Sequence, residues 1–202
     1  MSPATTVSDR ILDGALACVA RVGVGKTTLD DVAREAGCAR ATVYRSFPGR
    51  NALFGALLDR EVAALGAGAL MAAEETDTLA DAVVAVMLTC ADTVRTHRAL
   101  GFVLAHEPEI VALQLSFERG SAVLRAAAQL VAPAFTRFVS ADRAERLGEW
   151  VARLTLSYLC DPSEYVQLDQ PAQVRELVEA LVLPGITRSS TFASASSEGA
   201  SQ

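Results

Sequence analysis

The stretch from Thr28 to Phe47 constrains this chain most, because it holds two short amphipathic segments with Gly37 between them. Thr28 and Asp31 have the spacing of a capping box, which starts a helix. Leu29, Val32, Ala33 and Ala36 then form one apolar face, and Gly37 supplies the turn that ends it. A further helix is expected from Arg40 to Phe47. Val43 and Phe47 are four apart and share an inner side, while Ala41, Tyr44 and Arg45 share another. Arg40 and Thr42 flank the start of that outer side. A small, aromatic and basic face suits a DNA major groove. Arginine can bond guanine bidentately and alanine can touch a thymine methyl. Threonine and tyrosine hydroxyls can hold phosphate.

A helix precedes this stretch. Ile11, Leu12, Ala15, Leu16, Val19 and Ala20 repeat with helical period over residues 8–22. Ser8 is the expected cap, and Gly23 and Gly25 the stop. After Phe47, Pro48-Gly49 breaks the chain and Arg50 opens a fourth helix. A cation is poorly placed at a helix start, so a nearby phosphate is expected to receive Arg50.

Residues 8–58 resemble the DNA-binding domain of the tetracycline-repressor (TetR) family. The matching residues are Gly25, Thr28, Val32, Ala33, Ala36, Gly37, Ala41, Thr42, Val43, Tyr44, Phe47, Arg50 and Leu53, at the family's spacing. Three positions depart from it. Ala39 stands where a serine commonly caps the recognition helix, Ser46 where histidine or tyrosine often reaches phosphate, and Arg50 where lysine is common. The resemblance implies a dimeric transcriptional regulator, usually a repressor released by a small ligand. The DNA-contacting set expected is Arg40, Ala41 and Tyr44 on bases, with Thr28, Thr42, Arg45 and Arg50 on phosphates.

Charge agrees weakly. Residues 1–60 carry eight basic and six acidic groups, +2, whereas the whole chain is −6. A mildly basic head on an acidic body suits presentation of one end to a polyanion. The longest uncharged run, Val62 to Ala73, is well short of the ~18 apolar residues a membrane span needs. The N-terminus shows no signal-peptide pattern, so a soluble cytoplasmic protein without membrane partners is expected. Cys18, Cys38, Cys90 and Cys160 are widely spaced and read as reduced, small apolar residues.

The rest reads as all-α. The expected division is a three-helix DNA-binding domain at 1–50, a helical effector-binding and dimerisation domain at 51–186, and a Ser-rich disordered tail at 187–202. Leu79 to Arg95 is apolar nearly all round, as a central helix is. Abundant apolar residues between Leu53 and Val131 suit a cavity for an apolar small-molecule effector. Met87, Phe102, Leu113, Phe117 and Leu124 are its candidate lining, each equally explained as plain core.

Asp142 to Cys160 carries a bulky stripe (Leu147, Trp150, Val151, Leu154, Tyr158) and a small one (Gly148, Ala152, Thr155, Leu159). Val174, Leu177, Val178, Leu181 and Val182 form a closing amphipathic helix stopped by Pro184-Gly185. In the family the last two helices pair with their copies. Gly148, Ala152, Thr155, Leu159, Val174, Leu177, Val178 and Leu181 are therefore the expected homodimer surface, unless both helices are ordinary core.

No catalytic motif, metal site or cofactor site is expected. His106-Glu107-Pro108-Glu109 is interrupted by proline and reads as a loop-packing segment, not a metal site. The expected function is a sequence-specific DNA-binding regulator, a ligand-released repressor on a palindromic operator. The alternatives are a nonspecific architectural DNA-binding protein, or a helical small-molecule-binding protein with a vestigial head.

Overall fold

The computed structural model describes residues 6–110 and 120–187. Every regular element among them is helical, as expected. In chain order these are α1 (Val7–Lys26), α2 (Leu29–Glu35), α3 (Arg40–Ser46), α4 (Arg50–Glu74), α5 (Leu79–Thr96) and α6 (Arg98–His106). Then come α7 (Gly120–Val131), a 3-10 turn (Ala132–Phe135), α8 (Ala141–Cys160), α9 (Pro171–Leu177), a π turn (Val178–Val182) and α10 (Leu183–Thr187). The tail expected at 187–202 lies, beyond Thr187, outside the described residues.

Local chemistry sets the first boundaries. Thr6, not Ser8, caps α1: its hydroxyl accepts from the Asp9 N–H while the Asp9 carboxylate accepts from the Thr6 N–H. Thr28 and Asp31 repeat this box at α2. The start of α3 has no side-chain cap, as Ala39 predicts. Gly23 interrupts α1 with φ +83°, a left-handed conformation that only glycine adopts without cost.

The chain divides into two compact units: residues 1–68 with 90–127, and residues 69–89 with 128–202. In the first unit, Ile11, Leu12, Ala15, Cys18 and Val19 of α1 pack with Val32, Val43, Phe47, Leu53 and Leu57. Ala99 and Val103 of α6 join that same core, with Ile110 against it. Without α6, one side of α1 would be bare, so the three-helix head is not a closed core by itself. Burial raises the Cys18 thiol and pushes Cys90 up to about 11.

In the second unit, Phe135, Leu147, Val151, Val174, Val178, Val182 and Ile186 are buried. The expected stop at Pro184 is displaced. Proline has no N–H for the helix ladder, and the backbone accommodates it by widening to a π turn and continuing to Thr187. Arg137 ties the end of α4 down, donating to the carbonyls of Ala73, Glu74 and Thr76.

Much of the expected dimer surface is buried in the chain's own fold. A Cβ on Gly148 would sit 2.7 Å from the Ala128 carbonyl oxygen and 3.2 Å from the Ala132 Cβ, so this face of α8 packs on its own chain. Gly148, Thr155, Val174, Leu177 and Val178 are all buried within one protomer. They have little side-chain surface left for a partner. Ala152 and Leu159 are half-buried, and Leu181 is exposed at 67%. Trp150, of the bulky stripe, is 38% exposed and lies over Gly185.

Gly148→Ala is expected to destabilise the protein by about 1–3 kcal/mol through overpacking. Thermal unfolding would show the loss at every protein concentration, whereas damage confined to a dimer contact would vanish on dilution.

Candidate nucleic-acid interface

The site begins with the turn that delivers α2. The Glu107 carboxylate, just past the end of α6, accepts from the backbone N–H of Val24 at 2.6 Å and of Gly25 at 2.7 Å. From Arg50 the guanidinium donates to the carbonyls of Val24 and Thr27. Thr27 is fully buried, and its hydroxyl donates to the Gly23 carbonyl at 2.6 Å. The turn is thus held by a carboxylate on its donors and a guanidinium on its acceptors. A Cβ at Gly23 would lie 2.6 Å from the Glu107 carboxylate, so glycine is required there for space as well as for φ. His97 steadies the other end of α6: its Nδ1 accepts from the Leu100 N–H, leaving Nε2 to donate to Glu61 at 3.0 Å.

Arg50 thus spends two of its five N–H donors within the protein. Its cation answers the orphan carbonyls at the end of α1 and stacks on the Phe54 ring at 4.6 Å. Thr28 is engaged within the protein too. Its one hydroxyl proton goes to Asp31 at 2.5 Å, so in this arrangement it has none to donate to a phosphate oxygen. Those same bonds, then the Arg34 guanidinium, hold the Asp31 carboxyl below the usual carboxylate range.

On α3 the inner and outer sides separate as expected. Val43 is fully buried and Phe47 nearly so. Arg40, Ala41, Tyr44 and Arg45 are exposed, and Thr42 is half-buried. Arg45 donates to the Thr42 hydroxyl oxygen at 3.3 Å, leaving the Thr42 proton available. Arg40 donates to the Tyr44 hydroxyl at 3.2 Å, leaving that proton available too, and to Asp30 of α2 at 3.0 Å. The Tyr44 hydrogen bond, then the Asp30 charge, push the Arg40 guanidinium further up, so it stays cationic. Two members of the site, Asp30 and Glu107, were not singled out for it from sequence. Asp30 had no signal beyond its charge, and Glu107 lies 83 residues from the backbone group it binds.

Three of the expected effector-pocket residues lie among the described residues. Met87 is fully buried in the second unit. Phe102 and Leu124 are half-buried in the first, Phe102 stacked on His106 with ring centroids 4.5 Å apart. Leu113 and Phe117 lie outside the described residues. Among the described residues no cluster of side chains could hold a metal ion, and no helix is long and apolar enough to cross a membrane.

Glu107→Ala leaves two backbone N–H groups without their acceptor, an expected loss of about 1–3 kcal/mol in chemical denaturation. Gly23→Ala is expected to cost at least as much, since it adds a left-handed-φ penalty to the clash with Glu107.

A second expectation concerns acid. Because folding lowers the Asp31 pKa, its stabilisation is complete above the unfolded value of about 4 and is lost as pH falls through the folded one. Thr28→Val removes the largest cause of that shift. Its melting temperature should fall below wild type at neutral pH, and the gap should narrow as pH falls below about 4, leaving the pH-independent loss of the cap on the Asp31 N–H.

Residues 11–57 match the model for bacterial regulatory proteins of the tetR family. An HTH-type transcriptional regulator of Mycobacterium tuberculosis is 29% identical over 182 residues, covering 88% of this chain and 86% of that one. Among solved structures, the TetR family repressor AlkX from Dietzia sp., implicated in biodegradation of n-alkanes, matches with a TM-score of 0.70. The match covers 89% of this chain and 95% of AlkX at 18% identity. FadR from Bacillus subtilis, in complex with stearoyl-CoA, matches with a TM-score of 0.59, covering 84% of this chain and 96% of FadR at 15% identity. At such identities these structures speak for the fold; the matched head and the regulator relative speak for the activity. Residues 11–57 thus carry a tetR-family DNA-binding head, and the chain as a whole is similar to HTH-type transcriptional regulators and shares the fold of TetR family repressors.

Proposed function

We propose that this regulator is a homodimeric repressor that reads a palindromic operator and is released by an apolar small molecule. The observation that carries it is α3: Val43 is buried while Arg40, Ala41, Tyr44 and Arg45 face out together. Arg40, Ala41 and Tyr44 read bases. Thr42 and Arg45 hold phosphate, since both keep donors after their mutual bond. Arg50 and Thr28 shape the head from within. Two heads read two half-sites separated by about 34–36 Å or a multiple, and occupancy blocks transcription. The protein acts where its DNA is, in the cytoplasm, and is not an enzyme.

An apolar effector accords with what two structural neighbours are described as handling, n-alkane degradation for AlkX and stearoyl-CoA for FadR. The exposed Trp150 and Leu181 supply apolar surface for a second copy. Release works through a population shift toward a dimer whose heads no longer match both half-sites. Glu107 supports this coupling, because it fastens the end of α6 to the turn that precedes α2. A nonspecific architectural role is disfavoured by the charge pairing on the head. Arg21, Arg34, Arg40 and Arg60 each already face a carboxylate, and nonspecific binding depends on cations free for phosphate.

Selection of bound duplexes from random DNA should enrich a two-fold palindrome; a pool without one would sink the reading. Arg40→Ala should weaken binding to that palindrome roughly 5- to 150-fold if the contact to guanine is bidentate, measured at fixed salt.

A further inference from the structure

We infer that Asp30 is a specificity-determining positioning residue: its carboxylate sets the pose in which Arg40 meets the base edge. The inference rests on the reading of Arg40 as a base reader, and deepens it. Asp30 lies in the first turn of α2, and Arg40 is the first residue of α3. The tight turn between the two helices brings Arg40 Nη1 to 3.0 Å from Asp30 Oδ2. On its other side the guanidinium donates from Nη2 to the Tyr44 hydroxyl at 3.2 Å, with its carbon 5.4 Å from the centre of the Tyr44 ring. The side chain is thus held at two points that belong to different helices.

Three physical consequences follow from that geometry. Arginine is among the most flexible side chains, and a free one would lose that freedom on docking. A guanidinium already fixed by Asp30 and Tyr44 has less to lose. It also keeps enough donors: two of its five N–H groups are used, and three remain, sufficient for a bidentate pair with guanine. Finally, α3 begins with no side-chain cap and with a cation, both unfavourable at a helix N-terminus. The Asp30 carboxylate beside that cation offsets the misplaced charge.

Asp30 does this at a cost in indiscriminate affinity. A carboxylate 51% exposed beside the reading helix repels phosphate wherever the head lands. When Arg40 is seated on guanine the carboxylate is paired; on a wrong base the arginine must turn away and leave it facing the DNA alone. The carboxylate therefore favours the right site over the wrong one without touching a base. Asp30 takes no part in the capping box of α2, which is made by Thr28 and Asp31, so it can be replaced without removing that cap.

The test uses the full-length protein and selection from random duplex DNA, run on wild type, Asp30→Ala, Asp30→Asn, Arg40→Ala and the double variant Asp30→Ala/Arg40→Ala. Arg40→Ala should flatten the preference at one base pair of each half-site. Asp30→Ala should weaken the preference at that same base pair by on the order of fivefold, the ceiling an exposed ion pair allows, while binding to scrambled DNA tightens. Asp30→Asn, which keeps an acceptor without the charge, should fall between. In the Arg40→Ala background, Asp30→Ala should leave the remaining preferences unchanged, because a positioning residue acts only through its partner. If Arg40→Ala flattens a position and Asp30→Ala leaves that position intact, the role of Asp30 is overturned and the reading of Arg40 stands. If Arg40→Ala flattens nothing, the reading of Arg40 itself fails.

Discussion

The reading end of this protein depends on one carboxylate. Glu107 occupies the backbone donors of Val24 and Gly25, while Arg50 occupies the acceptors of Val24 and Thr27. A short turn with φ +83° at Gly23 leaves the N–H groups of Val24 and Gly25 to be met from outside the helix. Held from both sides, it sets where Thr28 caps α2, hence where α3 emerges. Because Glu107 ends α6, the position of the head is tied to a helix some 80 residues further along the chain. Such a tie couples the turn to α6, since both N–H groups bind one carboxylate at the end of that helix.

The charges of the head show a similar economy. Its cations are mostly spent inside the protein. Arg50 answers carbonyls, Arg60 bridges Asp13 and Glu61, Arg21 meets Glu35, and Arg40 meets Asp30. A head built this way gains little from undirected attraction to phosphate. What remains on the outer face of α3 is directional chemistry: a fixed guanidinium, two hydroxyls that keep their protons, and a methyl group. The same restraint explains why an overall acidic chain can still carry a DNA-reading end.

In the second unit the small residues of α8 serve the chain's own packing. The Gly148 contact with the Ala128 carbonyl lets α7 and α8 approach closely, and the apolar residues of α9 are consumed in the same core. A stripe of small residues reports close helix approach, but it does not say whether the neighbour belongs to the same chain.

Periodicity and capping chemistry are local, so much was legible in the residues alone. The all-α class, the starts of α2, α3 and α4, the missing cap at Ala39 and the inner side of α3 at Val43 and Phe47 could all be read there. Each depends on residues within about one helical turn of one another. Only the tertiary structure decided where the polar side chains are spent. Arg50 looked like a phosphate ligand because its carbonyl partners come from α1, more than 20 residues earlier. Thr28 looked like a donor because sequence does not show which way a hydroxyl proton points. Glu107 looked like part of a loop because the N–H groups it satisfies lie on another element. Gly148 looked like a dimer contact because an apolar or small face must be covered, and its pattern does not name what covers it. The amino-acid pattern determined which surfaces exist; long-range hydrogen bonding and packing decided which of them remain for DNA.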